Sequence, residues 1–424
     1  MLLLLFADIP TKPHHKKPIK GLISMKTKTL SELKPIYDTH ISATYLRYPV
    51  AFHRGGGCRL YSPEGKEYID FASGIGVSSV GHSHPKWLNA VNQQAALLTH
   101  VSNLYYTEPG AVLAEKLCQI SGMKGVFFSN SGAESVEGAI KVARKYSHDK
   151  YGGGRHTILT LQNSFHGRTM AALTATGQPE KFHKDYFYPF VQGFEYVPAN
   201  DFAAMEAYDK GTVCAVIIEL VQGEGGVLPL CGEYVKNVAA LCQKNDWLLI
   251  ADEVQTGIGR VGHWFAYQNY GIMPDVVPFA KGIAGGLPFG GFLLGEKVRN
   301  TLGAGDHGTT YGANLVCAAA ALAVLEILEP ILPSIKEKGE YICEKIQAMN
   351  LPCVKEIRAK GLMLGVQLHG ITPAHAVTAL LENGLVALSA GADVLRFLPP
   401  LVIEKKDIDD GLAIMEKTLD KLQK

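Results

Sequence analysis

The chain has 424 residues, 47% of them apolar and 19% charged, with a formal net charge of +1. That length allows two or three domains, or one large α/β domain with an appendage. The composition excludes global disorder, and the balanced charge offers neither a basic surface for nucleic acid nor an acidic solvating tail.

The N-terminus reads MLLLLFADIPTKPHHKKPIKGLISM. Its apolar run is far shorter than the roughly 20 residues that span a bilayer. No basic segment precedes it and no small-residue cleavage site follows, so it is not read as a signal peptide or a membrane anchor. Residues 1–24 read as an upstream extension, with the working protein starting near Met25. The cysteines (Cys58, Cys118, Cys214, Cys231, Cys242, Cys317, Cys343 and Cys353) show no CxxC spacing, and most lie in apolar runs. Buried free thiols in a reducing cytoplasm fit that pattern better than disulfides or zinc.

From about Tyr45 to Phe71 short alternating runs, broken at Gly55–Gly57 and Pro63-Glu64-Gly65, predict an antiparallel meander. His82 and His84 stand just before Pro85 without a carboxylate partner, which predicts structural or capping roles and no metal. Helices are expected over 85–98 and 109–120. A strand over 125–128 breaks at Ser129-Asn130-Ser131-Gly132 into a helix from Ala133 to about Tyr146. Such a turn has two readings. It is an anion site built from free N–H groups at a helix start, or a plain cap, since Ser131 and Glu134 have capping-box spacing. No Walker lysine follows it.

A strand over 156–161 leads to the loop NSFHGRTM, which holds Phe165, His166 and Arg168. The run CAVIIELVQGEGGV carries Glu219 and then Glu224 among glycines. After a helix over 234–244 come two apolar strands that each end in charge: WLLIAD ends in Asp252, with Glu253 behind it, and DVVPFAK ends in Lys281. Ligands of open α/β sheets bind beyond the carboxyl ends of the strands, so a carboxylate and an amine delivered there predict a built site. Gly257, Gly259 and Gly262 match GxGxxG, with Asp275 downstream. The following HWFAYQNYG is too short and broken for a dinucleotide-binding helix. A strand FGGFLLG, the loop GDHGTTYGAN and a small-residue helix over 315–328 complete a large domain, 86–328. The composition then shifts. A helix over 335–349, strands over 354–357 and 361–368, a helix over 373–382 and the run VLRFLPPL predict an α+β unit. That unit, 329–424, joins 25–85 in one small domain.

Pyridoxal phosphate needs a helix start for its phosphate, a neutral lysine for its aldehyde, a buried carboxylate for its ring nitrogen and an aromatic face for its ring. Ser131-Gly132-Ala133, Lys281, Asp252 and Phe165 supply these in one α/β frame. From about Tyr45 onward the chain resembles the class III (subgroup II) pyridoxal-phosphate aminotransferases, and within them the acetylornithine branch. The motifs are GKEYIDFASGIGVSSVGHSHP, SNLYYTEP, FFSNSGAES, NSFHGRT, QGEGGV, LIADEVQTGIGR, AKGIAGGLPFGG, HGTTYGAN and VLRFLPPL.

The resemblance implies a fold type I α/β transferase. A large domain with a mostly parallel seven-stranded sheet would carry a small α+β domain. Lys281 would bind the cofactor aldehyde covalently and Asp252 would pair with the pyridine nitrogen. Gln255 would contact the ring hydroxyl, with Glu253 and Val254 in the same cofactor-side stretch. Ser131, Gly132 and Ala133 would hold the phosphate, and Phe165 would stack on the ring. Thr310 would reach the phosphate in a neighbouring subunit and Thr309 the substrate there, which implies a homodimer with shared sites.

On the substrate side, Arg396 would clamp the α-carboxylate of glutamate, and Glu224 would mask that arginine when N-acetylornithine is bound. Arg168 would hold the remote carboxylate, and Tyr45 matches a substrate-side tyrosine. The implied reaction passes the terminal amine of N2-acetyl-L-ornithine to 2-oxoglutarate. Ile75 stands where ornithine aminotransferases carry a tyrosine that engages a free α-amine, which favours an acylated substrate. N-succinylornithine, ornithine and 4-aminobutyrate remain alternatives, as does an aminomutase or racemase. Gly56, Val136, Gly138 and Asp393 depart from the family pattern.

Overall fold

In a computed structural model of the chain the described residues are 27–208 and 211–423, so the extension expected at 1–24 lies outside them. The alternating residues before Phe71 form the expected meander of β1 (Arg54–Gly56), β2 (Arg59–Tyr61) and β3 (Glu67–Asp70). A helix, Leu30–His40, precedes it and buries none of its residues.

Strands β4 (Gly125–Ser129), β5 (Thr157–Leu161), β6 (Phe194–Val197) and β7 (Val213–Ile218) follow, then a small hairpin of β8 (Val221–Gln222) and β9 (Leu228–Pro229). After these come β10 (Leu248–Ala251), β11 (Val276–Phe279) and β12 (Gly290–Leu294). Outside the hairpin they make one seven-stranded sheet, ordered β4-β12-β11-β10-β7-β5-β6. Only β12 runs antiparallel to its neighbours, so the sheet is mostly parallel, as expected. Strands β5, β7, β10 and β11 are buried at every position. Both their faces must therefore be covered, which is what helical crossovers supply. Successive side chains alternate faces. Leu248 and Ile250 join the core beneath the helix Gly132–Tyr151, and Leu249 joins the larger core on the other face.

Several helices fall where the sequence places them: Pro85–Leu97, Glu108–Ser121, Gly232–Asn245, Leu315–Leu328 and Pro373–Glu382. His84 caps the first of these, accepting from the Lys86 N–H, and His82 hydrogen-bonds Asp70 at 2.7 Å. Both histidines thus have structural roles, but His82 has the carboxylate partner that the sequence does not show. The helix after SGAE runs on to Tyr151 rather than Tyr146. Lys145 pairs with Asp149 one turn ahead at 2.7 Å, and the Tyr151 hydroxyl donates to Asp246. The GxGxxG segment is a tight turn, closed by the Ile258 N–H on the Trp264 carbonyl, and no helix starts before Ala266. Of the cysteines, Cys58, Cys214, Cys242 and Cys353 are buried, whereas Cys231 is exposed; all are free thiols.

The C-terminal stretch contributes β13 (Val354–Lys360), β14 (Met363–Leu368), β15 (Leu385–Val386), β16 (Leu388–Ala390) and β17 (Val394–Phe397). Four of them form a sheet ordered β13-β14-β17-β16, while β15 pairs in parallel with β3 of the meander. A final helix, Lys405–Leu422, buries Ile408, Leu412, Met415 and Leu419 on one stripe.

Candidate active site

Because β12 is the antiparallel member, β4, β5, β7, β10 and β11 all end at one edge of the sheet. A cleft of about 400 Å³ opens there. Ser131, Gly132, Ala133, Phe165, His166, Arg168, Glu219, Asp252, Val254, Gln255 and Lys281 all line it. The turn after β4 and the loop after β5 thus meet the charged ends of β7, β10 and β11.

The helix Gly132–Tyr151 starts at this edge. Ser131 caps it by accepting from the Glu134 N–H at 3.2 Å. Glu134 does not close a capping box on Ser131; its carboxylate takes the Asn130 N–H at 2.7 Å instead. The N–H groups of the first helical turn have no intrahelical acceptor, and at Gly132 and Ala133 they face a cleft. A Cβ on Gly132 would lie 2.6 Å from Val254 Cγ1, so the helix start sits directly against the residue two beyond Asp252. Ser135 Oγ lies 3.1 Å from the Phe279 carbonyl, which ties this helix to the end of β11 just before Lys281.

Asp252 is buried, and both its oxygens are engaged. His166 Nδ1 donates to Oδ2 at 2.7 Å, and the Val254 N–H donates to Oδ1 at 3.0 Å. Each oxygen keeps a lone pair for a donor in the cleft. His166 is buried as well, and its Nε2 has no partner among the described residues. Glu219 accepts from the Phe165 N–H at 2.8 Å, and burial pushes its carboxyl up to about 7. Sequence reasoning assigns no role to His166 or Glu219. Glu219 has a readable signal, since it closes an apolar strand just as Asp252 does.

Lys281 leaves β11 with its backbone in the left-handed region, φ +44. Among the described residues it makes no ion pair within 4 Å, so it shares the cleft with Asp252 without pairing to it. Desolvation, with Arg396 second, lowers its pKa to about 8. A neutral amine is therefore accessible near neutral pH. Arg396, on β17, is buried beside Gln255 and Glu224. Its Nη1 lies 2.8 Å from Glu224 Oε1 and 3.3 Å from Gln255 Oε1. Burial raises the Glu224 pKa, but Arg396 outweighs it and holds the carboxyl below its ordinary value.

Other expected site residues stand elsewhere. Glu253 points away from the cleft, as strand alternation requires of the neighbour of Asp252. It is buried against Thr256 and accepts from the Tyr267 N–H at 2.9 Å. Tyr45 is exposed in a separate groove beside the helix Leu30–His40. Thr309 accepts from Asn130 Nδ2 at 2.9 Å, while Thr310 is exposed. Ile75 is exposed too, in a left-handed run from Ser73 to Gly76. Arg168 is exposed at the cleft, 5.6 Å from the Phe165 ring centroid, and forms no ion pair among the described residues.

The cleft fits pyridoxal phosphate. It offers a helix start for a phosphate, the aromatic Phe165 in its lining for a ring, and an oriented carboxylate and a deprotonable lysine that do not neutralise one another. Among the described residues no group of three or more His, Cys, Asp or Glu could hold a metal ion, and no single helix is long and apolar enough to cross a membrane.

Comparison with known proteins agrees with this geometry. Residues 41–419 match the class-III aminotransferase family. The acetylornithine aminotransferase of Haemophilus ducreyi is 50% identical over 397 residues, covering 93% of this chain and all of that protein. That of Methanocaldococcus jannaschii is 43% identical, covering 90% and 96%. Among solved structures, Toxoplasma gondii ornithine aminotransferase superposes with a TM-score of 0.89 at 29% identity, covering 94% of this chain and 96% of that one. Elizabethkingia anophelis acetylornithine aminotransferase gives 0.82 at 30% identity, covering 93% and 100%.

Proposed function

The chain belongs to the class-III aminotransferases, and from that membership we propose its reaction and the roles of its residues. The enzyme moves the terminal (δ) amino group of N2-acetyl-L-ornithine to 2-oxoglutarate, in two half-reactions at one site. The products are N-acetylglutamate 5-semialdehyde and L-glutamate, which places the step in arginine biosynthesis.

Pyridoxal phosphate supplies the electron sink that lets the hydrogen on the reacting carbon leave as a proton. The chain supplies everything else. Lys281 would hold the group covalently, and its free amine would move the proton off the reacting carbon, help worth roughly 10²- to 10⁴-fold. Asp252 keeps a proton on the ring nitrogen, and His166 aims that carboxylate. Ser131, Gly132 and Ala133 would take the phosphate, Phe165 would stack on the ring, and Gln255 would contact the ring hydroxyl, with Val254 beside it in the cleft.

The harder task is to read two donors. In N-acetylornithine the reacting carbon is a CH₂ with no carboxylate beside it, whereas glutamate carries one there. Arg396 forms a bidentate clamp on that carboxylate, and Glu224 masks Arg396 when it is missing. Arg168 takes the remote carboxylate of both donors. The 2.8 Å contact between Glu224 and Arg396 carries this reading.

The site is shared between two copies of the chain, with Thr309 and Thr310 of each copy reaching the site of the other, and Tyr45 stands on the substrate side. Support comes from the strongly exposed Leu97, Leu104, Tyr105, Tyr106 and Tyr311, which need a cover. Residues 25–85 and 329–424 act as one small domain, supported by the β3–β15 pairing. The free thiols support a cytoplasmic enzyme. Ile75 cannot hydrogen-bond an amine, which favours an acylated α-nitrogen.

A glutamate-forming assay with 2-oxoglutarate tests this against N-acetylornithine, N-succinylornithine, ornithine and 4-aminobutyrate. N-acetylornithine is expected to give the highest kcat/KM. A preference for free ornithine or 4-aminobutyrate, or turnover that needs no 2-oxo acid, would refute the assignment.

A further inference from the structure

On the reading of function above, the Glu224 carboxylate leaves Arg396 for one substrate and returns for the other. Only a side chain on a fixed backbone can repeat that contact at the same distance. The loop that carries Glu224 spans a hairpin of only two paired positions, Val221 with Pro229 and Gln222 with Leu228, too few to fix it alone. Its backbone is held from outside. The Gly391 N–H donates to the Glu224 carbonyl at 2.9 Å, and Arg358 Nη2 donates to the Gly226 carbonyl at 3.1 Å.

Both clamps come from the sheet that carries Arg396. Arg358 lies on β13, and Gly391 lies in the turn between β16 and β17. A Cβ on Gly391 would sit 3.0 Å from the Gly225 carbonyl oxygen, so this turn rests on the loop's backbone. Glu356 holds Arg358 Nη1 at 2.6 Å, which taken alone is a surface pair. Two observations argue otherwise. The Arg358 side chain is only 15% exposed, and its other branch reaches out of its own sheet to Gly226. Glu356 therefore acts as the anchor and the Gly226 carbonyl as the load.

We propose that Arg358 is a positioning residue for the Glu224 gate. By holding the Gly226 carbonyl it registers the Glu224 loop against the sheet that carries Arg396, and so sets how well the arginine is masked. It touches neither substrate nor the reacting atoms.

The test uses the holoenzyme in single turnover, mixed with N-acetylornithine or with L-glutamate. Arg358→Met is expected to slow the N-acetylornithine half-reaction about tenfold and the glutamate half-reaction by less than about twofold. Arg358→Lys, which keeps a cationic donor, is expected to recover part of the loss. In a Glu224→Gln background Arg358→Met should add nothing, because its effect passes through Glu224. Equal slowing of both halves, no slowing of either, or an undiminished effect in the Glu224→Gln background overturns the proposal. Should Arg358→Met not fold, Glu356→Gln, which loosens the anchor, goes through the same comparison. If the wild type itself does not react with N-acetylornithine, the reading of function fails separately. The Arg358 comparison is then made with 4-aminobutyrate, a donor that also lacks a carboxylate beside its reacting carbon.

Discussion

A lysine that must act as an amine near neutral pH has to lose its proton more readily than lysines in water do. Burial, with Arg396 second, does this for Lys281 and brings its pKa from 10.5 to about 8. The neutral, reactive form therefore fills in as pH rises through about 8. The rate at which cofactor-free protein captures pyridoxal phosphate, followed by its visible absorption, should be half-maximal near pH 8 and level off about one unit above it. A rate still rising toward pH 10 would mean an ordinary lysine. Lys281 and Asp252 are legible in the sequence because apolar strands seldom end in charge without a use for it. His166 is not, because a loop imidazole becomes part of a site only once the fold sets it 2.7 Å from Asp252. Glu253 misleads for a related reason: adjacent residues at a strand end face opposite ways, and the sequence does not say which one faces the cleft.

At the scale of elements, the start of the helix Gly132–Tyr151 decides whether a phosphate has a seat. Gly132 presses against Val254, with 2.6 Å to spare for a Cβ where ordinary contact needs well over 3 Å. Gly132→Ala should push the helix start off the Asp252–Gln255 stretch and weaken cofactor affinity about tenfold, read by titrating the cofactor-free protein. Its thermal midpoint without cofactor should fall only slightly, because the rest of the helix is unaffected. Unchanged affinity would remove the helix start from the site. The same helix explains one departure from the family pattern. A Cβ on Gly138 would meet the Phe292 ring at 2.1 Å, and that ring stacks on Phe127 at 5.1 Å, so glycine admits an aromatic pair. Asp393 accepts from Gln367 Nε2 at 2.7 Å; nothing in the structure explains Gly56. Periodicity locates this helix but not its end, which tertiary partners such as Asp246 extend.

At the scale of the molecule, the order of apolar strands makes the mostly parallel sheet legible, and with it the edge where the site forms. The parallel pairing of Leu385 with Ile69 is not legible, since it hydrogen-bonds segments more than three hundred residues apart that no local pattern links. The C-terminal helix is absent from the sequence expectations, although Ile408, Leu412, Met415 and Leu419 recur at helical spacing. This architecture brings Arg396, from a C-terminal strand, against Glu224, from a loop of the central sheet, and the masked arginine is the centre of the proposed mechanism. Single-turnover mixing of Glu224→Ala holoenzyme with each donor tests it most directly. Leaving a buried guanidinium unpaired costs at least ~2 kcal/mol in comparable settings, or roughly 30-fold in rate. The N-acetylornithine half-reaction should therefore slow by at least about tenfold while the glutamate half-reaction, whose own carboxylate pairs with Arg396, stays near the wild-type rate. Equal slowing of the two half-reactions would contradict the masked-arginine mechanism.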